Sequence, residues 1–246
     1  MPAGRSFLIV GASGTIGSAV ALQLAAPDVV LGLHYRSNLA AATDLKATLE
    51  AAGTACHLMP SPLGSEADCR ALIDDFVAST GRIDGLALCC GTIHWKEWDG
   101  LAANDWQRTL FEHCVAPFCL ARHAASRMES SRPGRVVYLS SIAPKYGGSA
   151  KTIHYAAAKA ALETAMRGMA RELARGGICI NGVRAGFVDT RQHQHGRSTG
   201  EIARRIALIP VGRAGKPDEV ASAFAYLFSE NASFINGELI TVAGGD

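Results

Sequence analysis

Short apolar runs alternate with longer segments of helical spacing along most of the chain. The run "SFLIVG" (6–11) ends in glycine, and "GTIGSAVALQLAA" (14–26) then repeats apolar residues at helical intervals. The same alternation predicts further strands at 28–35, 55–59, 83–91, 134–141, 178–186 and 238–245, and helices at 38–53, 65–81, 104–129 and around Tyr155. Apolar strands alternating with helices are typical of a parallel sheet covered on both faces. We therefore predict a single α/β domain over 1–246, a doubly wound parallel sheet of about seven strands.

One stretch fits neither pattern. The segment "RQHQHGRSTGEIARRIALIPVGRAGKP" (191–217) is polar at first and then weakly amphipathic. A segment of this kind beside the carboxyl ends of the strands is a candidate lid or substrate loop. We place that loop at about 191–215.

Composition narrows the class of partner. Lys and Arg number 24 and Asp and Glu 22, scattered along the chain, so no basic patch favours nucleic acid or a membrane surface. No run approaches the roughly 18 apolar residues of a membrane span, and the N-terminus lacks the layout of a signal peptide. We expect a cytoplasmic protein that binds a small molecule.

The seven cysteines show no paired spacing of the kind that metals require, so no metal site is predicted. Most stand in apolar context, which suits buried, reduced thiols. These are Cys56, Cys89, Cys90, Cys114, Cys119 and Cys179. The neighbouring Cys89 and Cys90 leave open the alternative of a redox pair.

The turn after the first strand is rich in glycine. The sequence "GASGTIG" places Gly11, Gly14 and Gly17 between a predicted strand and a predicted helix. Such a turn lets a pyrophosphate approach the backbone, and the free N–H groups of the helix start point at its charge. We predict a dinucleotide site that also includes Ser13, Thr15 and Ile16; the alternative is a turn with a structural role alone.

The end of the second strand bears on the choice of dinucleotide. A carboxylate there would bind the adenosine ribose, whereas an arginine would accept a 2′-phosphate. The strand ends in "HYRSN", with Arg36 and Ser37 and no acid, while Asp28 lies at the opposite end. A guanidinium pairs well with phosphate oxygens, so NADP(H) is favoured over NAD(H). The alternative is that Arg36 is a solvated surface residue.

Tyr155 and Lys159 stand four residues apart in "HYAAAKAAL" (154–162), a segment of strong helix formers. On a helix the two side chains share one face. A lysine charge beside a phenol favours phenolate, so we expect a lowered tyrosine pKa and a general acid or base. Taken alone, the pair is equally consistent with a packed tyrosine ring and a lysine that reaches solvent.

Together these motifs closely resemble the short-chain dehydrogenase/reductase family over nearly the whole chain. The resemblance rests on "GASGTIG", "GRID", "RVVYLSS", "YAAAK", "INGVRAGFVDT" and "GRAGKPDEVASAFAYLFSENASFINGELITVAGG". Within the family the chain looks most like the 3-oxoacyl-acyl-carrier-protein reductases and related carbonyl reductases. The resemblance implies a Rossmann fold, a nicotinamide cofactor and a homotetramer or homodimer.

The resemblance also assigns roles. Tyr155 matches the acid that protonates the carbonyl oxygen, and Lys159 the residue that lowers the phenol pKa and holds the nicotinamide ribose. Ser141 matches the hydroxyl that steadies the substrate oxygen, with Ser140 as the weaker alternative. Val188 and Thr190 match the positions that hold the carboxamide.

Four departures from the family pattern stand out. "LCCG" replaces Asn-Asn-Ala-Gly, so that only Gly91 remains, and Ser61 stands at or near the aspartate that contacts adenine. In the glycine turn, Thr15 stands where the family more often has glycine. His113 replaces the asparagine that positions a water in a proton relay; an imidazole could hold the same water and add a pH dependence. The alternative for His113 is a structural role on a helix.

We therefore expect an NADPH-dependent reductase of a ketone or 3-oxoacyl-type carbonyl. Two other classes remain open. One is an NAD(H)-linked alcohol or sugar-alcohol dehydrogenase, which the absence of an acid beside Arg36 argues against. The other is a cofactor-binding sensor without turnover, which "LCCG" and His113 suggest and the intact Ser141, Tyr155 and Lys159 argue against.

Overall fold

The computed structural model describes residues 4–129, 132–190 and 198–246. Within them, seven strands form one sheet: β1 (Arg5–Val10), β2 (Val29–Tyr35), β3 (Ala55–Pro60), β4 (Gly85–Leu88), β5 (Gly134–Ser141), β6 (Ile178–Ala185) and β7 (Leu239–Val242). The order across the sheet is β3-β2-β1-β4-β5-β6-β7, and every neighbouring pair is parallel. The predicted doubly wound α/β sheet is confirmed.

Helices connect the strands and cover both faces of the sheet. Those in the described residues are α1 (Thr15–Leu24), α2 (Leu39–Ala51), α3 (Glu66–Thr80), α4 (Ala103–Leu110), α5 (Ala116–Ala125), α6 (Ala143–Tyr146), α7 (Ile153–Leu173), α8 (Thr199–Ala207) and α9 (Pro217–Phe228). Local side chains fix several starts: Asn38 accepts a hydrogen bond from the N–H of Ala41 before α2, and Ser65 from that of Asp68 before α3.

The core lies in two layers because the strands are buried on both faces. On one face, Val20 and Leu24 of α1 pack with Phe224 and Phe228 of α9 against the sheet. On the other, side chains of α3, α5 and α7 fill the space; they include Phe76, Leu120, Leu162 and Met166. Every residue of β1 is buried, which explains the apolar run from Phe7 to Val10.

The predicted single helix over 104–129 is wrong in one respect. Helices α4 and α5 are joined by a π-helical turn at Phe111–Val115, and His113 lies at its centre. Pro117 follows at the start of α5 and has no N–H to donate to the carbonyl of residue 113, so regular α-helical bonding is interrupted. Turns of this kind are frequent at functional sites.

The sheet topology decides where a ligand can bind. The chain runs outward from β1 to β2 and β3 in one direction and through β4 to β7 in the other. In such sheets ligands bind beyond the carboxyl ends of the strands, where the order reverses. Here that point lies between β1 and β4, close to the ends of β5 and β6.

Candidate active site

Two glycines of the turn between β1 and α1, Gly11 and Gly17, have no room for a side chain. Gly11 has a φ of 84°, and a Cβ there would lie 2.9 Å from the Cys89 carbonyl oxygen; a Cβ on Gly17 would lie 2.2 Å from that of Gly11. Helix α1 begins after Gly14 with no side-chain cap and no acidic residue in its first turn. An N-terminus with free N–H groups and no nearby negative charge suits a phosphate. The turn therefore fits the pyrophosphate of a dinucleotide.

His34 supports this turn, and sequence reasoning missed it. Its Nδ1 accepts a hydrogen bond from the Gly11 N–H at 3.0 Å, and its Nε2 donates to the Ser61 carbonyl oxygen at 3.1 Å. Burial lowers the His34 pKa to about 4, so the ring is neutral, as these two bonds require. The feature of the sequence that points to this role is a histidine inside an otherwise apolar strand, two residues before Arg36.

Ser141 and Tyr155 meet beyond the end of β5. Ser141 is the last residue of β5 and Tyr155 lies in the first turn of α7. The serine hydroxyl faces the phenol, and this interaction favours the ionised form of the phenol. The structure thus brings these two predicted site residues together.

The expected lowering of the tyrosine pKa is wrong for this structure. Burial raises the pKa of Tyr155 to about 12, and the interaction with Ser141 works in the opposite direction. Lys159 does face the phenol ring, with Nζ 5.9 Å from the ring centroid, but Nζ donates its hydrogen bond to the Leu139 carbonyl oxygen at 2.8 Å. The protonated phenol is the form that can donate a proton, so the shift is compatible with an acid.

Lys159 is itself buried, with 3% of the residue exposed. Burial lowers its pKa to about 8, against the opposing influence of Cys90, Cys89 and Glu163. The Lys159 side chain does not reach solvent. The structure therefore excludes the alternative in which the lysine of the pair extends into solvent.

Ser140 faces a different group from the one that Ser141 faces. Its hydroxyl donates to Glu163 Oε1 at 2.6 Å in a buried position. Arg184 completes the cluster, donating to both oxygens of the same carboxylate at 3.1 and 2.7 Å. Ser140 is thus already engaged, which leaves Ser141 as the hydroxyl that faces the phenol.

One cavity of about 800 Å³ brings most of the predicted site residues together. It extends from the glycine turn, past Ser141, Tyr155 and Lys159, to Arg205 and Leu208 of the α8 region. The predicted residues among its lining are Ser13, Gly14, Thr15, Ile16, Gly17, Gly91, His113, Ser141, Tyr155, Lys159, Val188 and Thr190. Its volume is within the range of cofactor and small-molecule sites.

Comparisons with known proteins agree with this geometry. A family model described as enoyl-(acyl carrier protein) reductase matches residues 11–246. An uncharacterised oxidoreductase of Bacillus subtilis, YmfI, is 34% identical, with 98% of each chain covered. The 3-oxoacyl-[acyl-carrier-protein] reductase FabG of Salmonella typhimurium is 30% identical over 98% of this chain and 97% of its own length.

Solved structures give the same result. A blue fluorescent protein from a metagenomic library, in complex with NADPH, superposes with a TM-score of 0.92; the match covers 99% of this chain and 98% of that one, at 26% identity. The chain is a short-chain dehydrogenase/reductase. It is therefore an oxidoreductase of a family that uses a nicotinamide cofactor.

His113 is the residue that the resemblance matches to an asparagine, and its surroundings argue against a titration near its ordinary pKa. The residue is 2% exposed, and burial lowers its pKa to about 3. Nε2 donates to the Thr92 carbonyl oxygen at 3.0 Å, and the ring packs edge-on against that of Tyr155 with centroids 4.9 Å apart. A Cβ on Gly91 would lie 2.3 Å from His113 Cε1. The imidazole is a neutral group that packs between Gly91 and the phenol.

The thiols of "LCCG" are free and line the cavity. Burial raises the pKa of both Cys89 and Cys90, which holds them in the thiol form. All seven cysteines are free; of the six predicted to be buried, Cys56 and Cys119 are buried and the other four are only partly buried. Residues 4–129, 132–190 and 198–246 contain no group of three or more His, Cys, Asp or Glu side chains placed to hold a metal.

Val188 and Thr190, which the resemblance assigns to the carboxamide, lie beyond the end of β6. Val188 forms an isolated parallel bridge with Gly215, and the Asp189 N–H donates to the Gly215 carbonyl oxygen at 2.9 Å. Both Val188 and Thr190 are buried and line the main cavity. This short pairing fixes the backbone that faces the site.

The residues predicted to recognise the adenosine end lie apart from the main cavity. Arg36 and Ser37 are exposed after β2, and Arg36 lines a second cavity of about 460 Å³ with Arg108 and Glu112. Ser61 is buried, and its hydroxyl accepts a hydrogen bond from the Leu63 N–H at 3.4 Å. At the end of β3, the Ser61 hydroxyl is therefore hydrogen-bonded to Leu63 and the Ser61 carbonyl oxygen to His34.

The predicted lid segment falls partly outside the described residues, at 191–197. Its later part forms α8, which begins with a reciprocal cap between Ser198 and Glu201. Arg205 and Leu208 of this part line the main cavity. Arg205 pairs with Asp246, which also accepts a hydrogen bond from Tyr146 at 3.0 Å.

Proposed function

We propose that the protein is an NADPH-dependent reductase that converts a ketone or a 3-oxoacyl-type carbonyl to a secondary alcohol. The observation that carries the proposal is the single cavity in which the glycine turn, Ser141, Tyr155 and Lys159 all take part. The similarity to FabG, a 3-oxoacyl-[acyl-carrier-protein] reductase, supports the class of substrate.

Each side chain has a task in that reaction. The chemistry that NADPH would supply in this cavity is hydride transfer to the carbonyl carbon. Tyr155, protonated at neutral pH, donates the proton to the carbonyl oxygen, and the Ser141 hydroxyl orients that oxygen. Lys159, which lies one helical turn from the phenol, is placed to favour its ionised form after the proton has left and to bind the nicotinamide ribose. Val188 and Thr190 would hold the carboxamide.

Arg36 supports NADP(H) as the cofactor. The residue is exposed just after β2 and has no acid beside it in the chain, so its guanidinium is accessible to a 2′-phosphate. The complex of a similar structure with NADPH agrees with this choice. Glu112 also lines this smaller cavity, but its carboxylate is hydrogen-bonded to Nε2 of His94 at 3.0 Å.

A spectrophotometric assay tests the proposal. The protein is mixed with NADPH or NADH and a panel of ketones that includes acetoacetyl thioesters, and the loss of reduced nicotinamide is followed at neutral pH. We expect turnover with NADPH. Turnover with NADH alone would favour the dehydrogenase alternative, and cofactor binding without turnover on any carbonyl would favour the sensor.

Partners and location stay predictions. We propose a small-molecule carbonyl or alcohol as the ligand, no binding of nucleic acid or membrane, and a homotetramer or homodimer. Phe234, fully exposed between α9 and β7, offers an apolar contact for such an assembly. Within the described ranges, no helix has both the length and the apolar character needed to cross a bilayer.

A further inference from the structure

A buried polar cluster lies directly behind the catalytic side chains. Ser140 of β5 and Arg184 of β6 are register partners, one row before the partners Ser141 and Ala185. Both donate to the carboxylate of Glu163, whose side chain is only 9% exposed. Three elements, β5, β6 and α7, are therefore tied together at one carboxylate.

The position of Glu163 on α7 connects this cluster to the reaction. Tyr155, Lys159 and Glu163 follow one another at intervals of four residues, so they form one stripe on the helix. The stripe faces the carboxyl ends of β5 and β6: Tyr155 meets Ser141, Lys159 binds the Leu139 carbonyl oxygen, and Glu163 binds Ser140. A shift of α7 along β5 would break all three contacts at once.

The charge of Glu163 also acts on Lys159. Burial disfavours the ammonium, and the carboxylate one turn away works in the opposite direction, raising the lysine pKa. The other titratable groups that act on Lys159 in this way are the thiols of Cys89 and Cys90 after β4 and of Cys114 in the π-helical turn. These thiols have raised pKa values and are neutral at pH 7, so Glu163 carries the negative charge among these neighbours. Tyr138 and Arg184 face Glu163 itself.

We propose that Glu163 is a positioning residue that fixes α7 to the ends of β5 and β6, holds Tyr155 opposite Ser141, and keeps a negative charge one turn from Lys159. This inference rests on the proposed ketone reduction. Glu163 does not line the cavity and so acts through its neighbours. None of the family motifs quoted above includes this residue.

Glu163→Gln tests the charge, because the amide keeps the shape of the side chain. We expect kcat for ketone reduction to fall about tenfold or more, with the KM for the ketone changed less than threefold. The alkaline limb of log kcat against pH should move to lower pH by roughly half a unit or more, since Lys159 loses the charge that supports its protonation. Ser140→Ala removes one hydrogen bond to Glu163 and keeps the carboxylate charge. This variant should lower kcat without moving the alkaline limb.

Two controls separate this role from stability. Glu172→Gln makes the same change on the exposed side of α7 and should alter neither kcat nor the limb. The double variant Glu163→Leu with Arg184→Met removes both charges together; exchanges of this kind often preserve stability. We expect the double variant to fold and to keep both the lowered kcat and the shifted limb.

A double variant with wild-type stability, wild-type kcat and an unmoved limb would overturn the proposal, because Glu163 would then be structural only. A second readout needs no turnover. The ¹³Cε signal of Lys159, assigned by its loss in Lys159→Arg, should titrate at lower pH in Glu163→Gln than in the wild type. An unchanged titration would also overturn the proposal, whereas absence of ketone reduction by the wild type would overturn the proposed function alone.

Discussion

The two ends of the main cavity are built in different ways. At the β5 and α7 end, buried side chains hold one another: Ser141 with Tyr155, Lys159 with the backbone of β5, and Glu163 with Arg184. At the glycine turn, backbone geometry forms the surface, and Arg36 stands beyond it in solvent. Changes at the first end should therefore impair chemistry and stability together. Changes around Arg36 should alter cofactor choice with little effect on the fold.

The largest effect is expected at the buried end, from Tyr155→Phe. Without the phenol hydroxyl no proton reaches the carbonyl oxygen, so kcat should fall by roughly 10²- to 10⁴-fold. The ring still packs against His113, so we expect the dissociation constant for NADPH to stay within about threefold. Stopped-flow reduction and fluorescence titration measure the two quantities. An active Phe variant would show that another group donates the proton.

Gly17→Ala tests whether the glycine turn at the other end of the cavity can accommodate a side chain. The new Cβ would lie 2.2 Å from the Gly11 carbonyl oxygen, a backbone atom, so the turn has to shift. We expect about 1–3 kcal/mol of lost unfolding free energy and at least about tenfold weaker binding of NADPH. Urea unfolding and cofactor titration measure both.

Gly168→Ala is the matched control for that change. Gly168 lies within α7, and a Cβ there meets nothing within 4 Å. The same substitution should therefore leave cofactor binding unchanged and stabilise the protein by up to about 1 kcal/mol. Equal losses in both variants would mean that the tight packing at Gly17 does not matter for the cofactor.

Arg36→Asp sharpens the contrast because the residue is exposed. The carboxylate would repel a 2′-phosphate and could accept hydrogen bonds from a ribose, so the ratio of kcat/KM for NADPH over NADH should fall by about tenfold or more. Unfolding free energy should change by less than about 0.5 kcal/mol. The equivalent charge reversal at exposed Arg70 in α3, Arg70→Glu, should leave the ratio unchanged. An unaltered ratio in Arg36→Asp would assign the 2′-phosphate to another residue.

The same contrast explains what the sequence could predict. The alternation of seven strands with helices, the glycine turn and the placing of Tyr155 and Lys159 on one helix follow from periodicity and local spacing, and all three agree with the structure. The pKa of Tyr155 depends on burial and on where Lys159 directs its ammonium, and neither is encoded in a spacing of four residues. His34 and Glu163 were missed because their partners are 23 to 27 and 21 to 23 residues away in the chain.

A pH-dependent effect, in acid stability, is expected at both ends of the cavity. His34 supports the glycine turn and His113 packs on Tyr155, and burial holds their pKa values at about 4 and about 3. Between these values and the ordinary pKa of about 6.5, the unfolded chain binds more protons than the folded one, so stability increases with pH in that window. Acidification from pH 7 to pH 5 should therefore cost about 2 kcal/mol of unfolding free energy for each histidine.

His113→Asn isolates one of these contributions. Asparagine has no titrating group, so the decline in unfolding free energy from pH 7 to pH 5 should become shallower by about 2 kcal/mol, whatever the variant's stability at pH 7. His57→Asn, on β3, is the control, because that ring is only partly buried. Because His113 is already neutral at pH 7, we expect no break near pH 6.5 in the wild-type kcat profile that disappears in His113→Asn. Such a break would show that the imidazole takes part in proton transfer after all.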